Sequence, residues 1–389
     1  MKIRFFYHSL ISDWNHGNAH FLRGIVSELR RRRHDVRVYE PQEAWSVKHL
    51  LAQHGSAPLQ RFGEVYPELK DLGVRYDPAA LDVAAELADA DLVIVHEWND
   101  PELVRRIGEL RRRRGARFRL LFHDTHHRLV TQPAAMRAYS LEHYDGVLAY
   151  GRVLAELYRR GGLARRVWTW HEAADTQRFT PQRRGPKEGD LVWIGNWGDG
   201  ERTEELHEFL INPVRALGLK ATFYGVRYPE EARIALHAAG IEYRGWLPNF
   251  EVPQVFSRYR LTVHVPRRPY VRALPGIPTI RPFEALACGI PLVCSPWEDA
   301  ENLFTAGRDY LVAHNGEAMQ AHLAHLLAHP RARQQLSAHG LATINERHTC
   351  AHRVNELMAV VAELRPAKPV SGQRVRTPVT LKRGVGVAA

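Results

Sequence analysis

The chain has 389 residues, which is enough for two domains with sizeable cores. Its hydrophobic fraction of 45% and its charged fraction of 25% are ordinary for a soluble globular protein. No apolar run approaches the roughly 18 residues that a membrane-spanning helix needs, so the sequence predicts no membrane span.

The net charge of +11 is a second constraint, because such an excess could attract nucleic acid or an anionic membrane surface. Five basic residues, however, lie in an acid-free stretch near the end of the chain: Lys368, Arg374, Arg376, Lys382 and Arg383. We therefore predict a basic, disordered tail over residues 366–389. The rest of the charge is interpreted as solvated surface, with attraction to an anionic membrane as the alternative.

The three cysteines, Cys288, Cys294 and Cys350, have no metal-ligand spacing and cannot all form disulfides. They predict a reducing compartment, in which cysteine acts as a small hydrophobic residue. The first ten residues have a strand-like pattern, without the apolar segment and cleavage site of a signal peptide. We therefore expect a cytoplasmic protein.

Strand and helix patterns alternate along the first half of the chain. Strands are predicted at 3–8, 36–39, 92–96, 118–122, 146–150 and 166–170, and helices at 19–32, 101–113 and 153–158. The run LVIVH at 92–96 is continuously apolar, as in parallel strands that are buried on both faces. The alternation predicts a doubly wound α/β domain.

A polar segment rich in proline and glycine, residues 180–190, is predicted to link two domains. The alternation then restarts, with strands predicted at 191–194, 221–224, 243–245, 261–265, 292–294 and 309–312. Helices are predicted at 203–217, 230–239, 252–257, 282–288, 317–329, 332–344 and 350–364. The predicted fold class is therefore α/β, with two Rossmann-like doubly wound halves.

The most informative motif is the run IRPFEALACGIPLVCSP at residues 280–296. It predicts a short helix that carries one acid, Glu284, ends at Gly289 and precedes a buried strand. The amide groups in the first turn of a helix favour phosphate. Because a lone carboxylate beside an anion site suits a diol such as a ribose, the motif predicts a nucleotide diphosphate.

The same run resembles the nucleotide-sugar end of retaining GT-B glycosyltransferases of the group 1, or family 4-like, type. A second segment resembles the hinge of that family, because Asp175, Phe179 and Pro181 match its spacing. The family has another glutamate eight positions before the ribose-binding one, where this chain has Gly276. In this respect the run resembles the spore-maturation-protein-like branch. The resemblance implies a GT-B fold, with two domains facing a central cleft, and retention of anomeric configuration.

Polar residues follow the predicted strands of the first half, at the sheet edge where ligands bind in open α/β folds. The acceptor or cleft candidates are His16, Gly17, Asn18, His96, Glu97 and Glu172. Ordinary strand-to-helix turns are the alternative interpretation.

The segment after the strand at 118–122 contains three histidines and one acid. Their spacing does not match a His-x3-His pair on a helix, so a metal site is disfavoured. The resemblance implies that a histidine here touches the transferring sugar. The catalytic candidates are His123, then His126, with Asp124 as the neighbouring acid, and a capped turn is the alternative.

Donor candidates lie in the second half. A glycine loop with an arginine after the strand at 191–194 suits a pyrophosphate. The segment around Trp246 resembles the family's base-binding segment, with core packing of Trp246 as the alternative. The donor or nucleotide candidates are Gly195, Asn196, Arg202, Trp246, Leu247, Arg268, Gly276, Thr279, Arg281 and Glu284.

The resemblance implies a hexosyltransferase that uses a nucleotide sugar, with a UDP-sugar favoured, and needs neither cofactor nor metal. The expected divisions are an acceptor domain at 1–180, a linker at 181–190, a nucleotide-sugar domain at 191–349 and a helix at 350–365 that returns to the first domain. The expected acceptor is a glycan, a lipid-linked or a small molecule, with peripheral contact to an anionic membrane, and nucleic acid is disfavoured.

Two other functions remain as alternatives. A GT-B nucleotide-sugar epimerase would need acids for proton abstraction, for which Glu97 and Glu172 are the candidates. A basic protein that binds nucleic acid or a surface is the less favoured alternative.

Overall fold

The computed structural model describes residues 1–113, 117–182 and 185–364. The predicted basic tail at 366–389 lies outside these residues, as does part of the predicted linker. Within the described ranges, no helix is both long enough and apolar enough to cross a membrane.

The first half of the chain forms a seven-stranded parallel sheet with the order β3-β2-β1-β4-β5-β6-β7. Its strands are β1 (Lys2–Phe6), β2 (Asp35–Pro41), β3 (Gly73–Tyr76), β4 (Leu92–His96), β5 (Arg119–Asp124), β6 (Gly146–Ala149) and β7 (Val167–Thr169). Every residue of β4 is buried, as its continuously apolar sequence predicts. The winding reverses between β1 and β4, which places the loops that follow these strands beside each other.

Helices cover both faces of this sheet. They are α1 (Ala19–Arg31), α2 (Trp45–His54), α3 (Ala57–Val65), α4 (Val83–Glu86), α5 (Pro101–Arg112), α6 (Arg128–Thr131), α7 (Pro133–Arg137) and α8 (Arg152–Arg160). The start of α5 follows from its sequence, because the Asp100 side chain accepts the amide hydrogen of Glu102 at 2.7 Å and Pro101 occupies the first turn.

The second half repeats the arrangement in a six-stranded parallel sheet with the order β10-β9-β8-β11-β12-β13. Its strands are β8 (Gly189–Ile194), β9 (Ala221–Tyr224), β10 (Glu242–Tyr243), β11 (Tyr259–His264), β12 (Leu292–Cys294) and β13 (Leu311–Val312). Its helices are α9 (Thr203–Leu206), α10 (Asn212–Leu217), α11 (Glu230–Ala238), α12 (Val252–Ser257), α13 (Arg268–Ala273), α14 (Ile280–Ala287), α15 (Gly316–Ala328), α16 (Pro330–Arg347) and α17 (Cys350–Glu363). The prediction of two doubly wound halves is confirmed.

Two helices differ from their predicted extents at prolines. The helix predicted at 203–217 contains a π-helical turn, His207–Ile211, between α9 and α10. Pro213 cannot donate the amide hydrogen that a continuous α-helix requires, and the wider turn lies just before it. The helix predicted at 282–288 begins earlier, at Ile280, because Pro282 is tolerated in the first turn, where no amide donor is needed.

The chain crosses between the two halves twice, and the crossings lie side by side. The amide of Ala174 donates to the carbonyl of His348 at 2.9 Å, and the amide of Cys350 donates to the carbonyl of Ala174 at 3.0 Å. Beyond the second crossing α17 packs on the first half, where the Trp170 indole donates to the carbonyl of Arg353 at 2.9 Å. Two paired segments therefore connect the two sheets.

Gly24 lies in α1 where this helix meets both crossings, and it provides a test of their packing. A β-carbon there would lie 2.4 Å from Cys350 Sγ and 2.9 Å from Asp175 Cβ. We expect Gly24→Ala to lower the free energy of unfolding by about 1–3 kcal/mol in urea denaturation, because the crossings must move apart. The control is Gly63→Ala in α3, where the nearest side-chain atom lies at 3.5 Å and alanine should be neutral or slightly stabilising. Equal stability of Gly24→Ala and the wild type would contradict this packing.

Candidate functional site

A cleft of about 660 Å³ lies between the two halves. The first half lines it with loops that follow β1, β2, β4, β5, β6 and β7, and the second half with loops that follow β8, β9 and β11 and with the start of α14. The carboxyl ends of both sheets therefore face this cleft, as expected for ligand binding in open α/β sheets. The predicted site residues that line it are His16, Gly17, Asn18, His126, Glu172, Gly195, Asn196, Arg202, Thr279 and Arg281.

Polar contacts join the two walls of the cleft. The Asn196 amide donates to the side-chain oxygen of Asn15, and His127 Nε2 lies 3.5 Å from Glu201 Oε2. Partial burial favours the neutral form of Glu201, but hydrogen bonds and charges from His127 and Arg267 outweigh it and lower its pKa to about 2. The Glu201 carboxylate is therefore ionised at neutral pH.

The wall formed by the second half is cationic. Arg202 donates to the carbonyl of Val265 at 2.7 Å and to the carbonyl of Asn196 at 2.5 Å. Its burial, together with the charges of Arg267 and Arg281, lowers its pKa to about 9. Because burial and repulsion both disfavour the charged form of the Arg202 guanidinium, an anion in the cleft would stabilise that form.

α14 begins at the cleft wall, after a loop with two residues of positive φ. Gly276 has φ of 90° and Thr279 has φ of 58°. A β-carbon on Gly276 would also lie 2.9 Å from Glu301 Cγ, so the loop requires glycine there. Thr279, Ile280 and Arg281 line the cleft, where the first-turn amides of α14 are suited to bind an anion.

Glu284 lies one turn further along α14 and is fully buried. Its Oε1 accepts from Asn249 Nδ2 at 2.6 Å and lies 3.2 Å from His20 Nδ1, while its Oε2 is paired with Arg281. Burial by itself would raise the pKa of Glu284, but Arg281, His20 and Asn249 outweigh it and lower the pKa. The carboxylate is thus enclosed by three partners, unlike the lone carboxylate that the sequence indicated.

Four predicted residues lie beneath the wall of the first half instead of lining the cleft: His96, Glu97, His123 and Asp124. His123 Nδ1 lies 2.5 Å from the Tyr7 hydroxyl, and burial lowers the pKa of His123 to about 3. Asp124 accepts from the Tyr158 hydroxyl at 2.8 Å. Two tyrosines thus hold His123 and Asp124 beneath the loop that carries His126. Within the described residues, no group of three or more His, Cys, Asp or Glu could hold a metal ion.

Besides Gly276 and Glu284, three predicted donor residues lie outside the cleft wall: Trp246, Leu247 and Arg268. The Trp246 indole donates to Asp13 Oδ1 at 3.1 Å, and Leu247 packs on the main hydrophobic core. Arg268 Nε lies 3.1 Å from Glu205 Oε1. Trp246 therefore joins the two halves, and Arg268 braces the loop before α9.

Several buried polar atoms of the cleft wall have no hydrogen-bond partner among the described residues. They belong to His16, Asn18, His126, Tyr150, Arg202 and His264. Burial is the main reason why the pKa values of the three histidines are lowered, so these side chains are neutral at pH 7. Because buried polar atoms require partners, the wall suits a ligand with many hydroxyl groups.

Sequence analysis did not select two of these residues, Tyr150 and His264. Tyr150 directly follows β6, and His264 ends β11. The signal that would have found them is therefore their place at the carboxyl end of a strand.

Comparisons with known proteins agree with this geometry. A family model described as glycosyl transferase-like matches residues 202–359. No curated protein matches the chain. The solved structures include Alr3699/HepE from Anabaena in complex with UDP, with 13% identity, a TM-score of 0.65 and coverage of 94% of this chain and 100% of that one.

Two further solved structures are similar over nearly the whole chain. An alpha-glucosyltransferase in complex with UDP and a 13-mer DNA has 11% identity and a TM-score of 0.67, and covers 93% of this chain and 99% of that one. BGT of T4 phage, in complex with UDP and Mn²⁺, has 15% identity and a TM-score of 0.57, and covers 94% of this chain and 100% of that one. The chain has the GT-B fold. This confirms the predicted fold class.

Glu172 lines the cleft and is held by Asn18 Nδ2, which donates to its Oε1 at 3.2 Å. Burial, together with the charge of Glu284, raises the pKa of Glu172 to about 8. The folded protein therefore keeps a proton that the unfolded chain loses above its ordinary pKa of 4.5. This group's contribution to stability is present at low pH and is lost as the pH rises towards 8.

We expect Glu172→Gln to remove that loss, so its free energy of unfolding should fall less steeply than that of the wild type between pH 5 and pH 8. Urea denaturation at each pH measures the difference. The control is Glu346→Gln on the exposed side of α16, which should leave the pH dependence unchanged. Parallel pH profiles for Glu172→Gln and the wild type would show that Glu172 is ionised in the folded protein.

Proposed function

We propose that this protein transfers a hexosyl group from a nucleoside-diphosphate sugar, with a UDP-sugar favoured, to an acceptor. The observation that carries the proposal is the cationic wall, in which Arg202, Arg281 and the first turn of α14 face one cleft. The glycosyl transferase-like family match over residues 202–359 and the UDP complexes of the similar structures support it.

The diphosphate of the donor binds between the glycine loop after β8 and the start of α14. Arg202 has a buried Nε atom without a partner among the described residues, and the amides of Thr279 and Ile280 lie at the helix start. Negative charge grows on the diphosphate as the glycosidic bond breaks. Fixed guanidinium and amide groups in a cleft with little water stabilise that charge more in the transition state than in the ground state.

The ribose binds near Glu284, and nucleotide binding rearranges one ion pair. Arg281 is partly exposed to the cleft and paired with the buried Glu284 carboxylate. When the diphosphate arrives, Arg281 turns to it, and Glu284 Oε2 accepts from the ribose hydroxyl groups instead. Asn249 and His20 hold the other carboxylate oxygen in place during this exchange.

The transferring sugar lies against the neutral wall, where His126 and Glu172 offer polar atoms to its hydroxyl groups. With a pKa of about 8, Glu172 is largely protonated at pH 7 and donates a hydrogen bond. Retention of configuration rests on the resemblance of residues 280–296 to the retaining, spore-maturation-protein-like branch. On that basis the leaving diphosphate accepts the acceptor's proton, and no enzyme nucleophile is needed.

The two domains divide the binding of acceptor and donor between them. Residues 1–180 bind the acceptor, 181–190 link the domains, 191–349 bind the nucleotide sugar, and 350–365 return to the first domain. The enzyme acts in the cytoplasm, with peripheral contact to an anionic membrane, and without a metal, although Mn²⁺ is named in the T4 phage BGT complex. The epimerase alternative is not favoured, because the matching family model is described as glycosyl transferase-like and one of the similar structures is an alpha-glucosyltransferase.

Nucleotide binding tests the proposal directly. We expect UDP to stabilise the wild type more than GDP, ADP or dTDP in a thermal-shift panel, because the bound nucleotide favours the folded state. Arg281→Ala and Glu284→Gln should each weaken UDP binding at least about tenfold in calorimetric titration, because each removes a charged partner.

The matched control is Arg61→Ala on α3, which removes an exposed arginine that also pairs with a glutamate three residues later, away from the cleft, and should bind UDP like the wild type. If none of the four nucleotides stabilises the wild type, the proposed function is wrong. The same titration in EDTA tests metal independence, since unchanged affinity is expected.

A further inference from the structure

Two tryptophans at the cleft are exposed, whereas most large apolar side chains are buried. Trp45 is 38% exposed and Trp98 is 46% exposed, and both line the cleft. Two other large hydrophobic residues are exposed among the described residues, Ile234 and Val271, and neither lines the cleft. Exposed aromatic area concentrated at a binding cleft indicates contact with a ligand.

The sheet topology sets the spacing of these rings. Trp45 begins α2 after β2, and Trp98 follows β4 by two residues. β2 and β4 lie on either side of β1, so the two loops start about 10 Å apart. The loop after β1, which carries His16 and Asn18, lies between them. The two rings therefore lie on loops that flank polar side chains of the cleft wall.

Trp98 is held in position by charged and aromatic neighbours. The Arg128 guanidinium lies over its ring at 4.8 Å, and His126 meets the ring edge-on at 5.3 Å between centroids. Arg128 is itself paired with Glu97 at 3.1 Å. Arg128 therefore contacts both the ring of Trp98 and a buried carboxyl group, which fixes the position of the ring.

Trp45 has a similar arrangement that involves the second half of the chain. The Arg227 guanidinium lies over its ring at 5.7 Å and pairs with Asp199 at 2.9 Å. Trp14 and His49 support the ring from the first half, at centroid distances of 5.1 Å and 4.8 Å. Arg227, like Arg128, is therefore paired with an acidic residue of the protein.

We propose that the acceptor is a neutral oligosaccharide whose pyranose rings stack on Trp45 and Trp98. The C–H face of a pyranose packs on an indole ring, and its hydroxyl groups extend sideways to His16 and Asn18. These two residues supply buried polar atoms that have no partner among the described residues. This assignment rests on the proposed glycosyltransferase function and identifies the class of its acceptor.

Charge distinguishes this acceptor from nucleic acid, whose bases also stack on aromatic rings. Single-stranded nucleic acid requires cationic groups along its phosphates. The arginines beside the two rings, Arg128 and Arg227, each already contact a carboxyl group of the protein, and His16 and His126 are neutral. The wall therefore suits an uncharged polyol better than a polyanion.

An array of neutral glycans, probed with the UDP-saturated protein, tests the proposal. We expect at least one oligosaccharide to bind. In calorimetric titration with the oligosaccharide that binds most tightly, Trp45→Ala and Trp98→Ala should each bind it about tenfold or more weakly than the wild type does. The affinity of Trp98→Phe, which keeps an aromatic face, should be within about threefold of the wild-type affinity. Ile234→Ala, which removes an exposed apolar side chain elsewhere, is the matched control and should bind normally.

Three outcomes would overturn the acceptor assignment: no neutral glycan binds, the alanine variants bind it as well as the wild type, or a 13-mer DNA binds in a tryptophan-dependent and salt-sensitive manner instead. UDP-induced thermal stabilisation is recorded for every variant and should be unchanged. If UDP does not stabilise the wild type, the proposed function is wrong. If UDP stabilises the wild type but no glycan binds, only the acceptor assignment is wrong.

Discussion

A buried carboxylate at the junction of the two halves holds the candidate site together. Glu284 on α14 contacts His20 on α1, Asn249 before α12, and Arg281 at the cleft. An unpaired carboxylate in such a place would cost several kcal/mol, so each of its oxygen atoms must keep a partner. His20 Nε2 also accepts the amide hydrogen of Asp175 at 2.9 Å, which extends the network to the first crossing between the halves. The start of α14, α1 and the first crossing between the halves are thus joined by one network of polar contacts.

The two walls of the cleft differ in charge, and this difference divides the proposed chemistry. Arginines and helix amides concentrate on the second half, where a diphosphate would need them. On the first half, burial keeps His16 and His126 neutral and raises the pKa values of Glu172 and Tyr150. Such a wall can donate and accept hydrogen bonds without attracting a second anion. A charged donor end and an uncharged sugar end can therefore occupy the same cleft.

Local patterns predicted the fold well because they act over short distances. Continuous apolar runs such as Leu92–His96 formed buried parallel strands, and Asp100 with Pro101 began α5 as expected. The site was predicted at the level of strand ends, but the individual side chains were less predictable. His123 lies at the end of β5 and faces the core, whereas His126, three residues later, reaches the cleft. Neighbouring positions at a strand end have similar sequence signals, and only packing decides which of them is covered.

The sequence by itself determined the two α/β halves, the polar residues at the carboxyl ends of their strands, and the helix that carries Glu284. These features follow from hydrophobic periodicity, capping and the position of polar residues after strands. Only the tertiary structure decided that Glu284 has three partners, that Trp246 bonds to Asp13, and that Trp45 and Trp98 are exposed at one cleft. These contacts join residues far apart in the chain, and their energies depend on burial and distance, which no local pattern encodes.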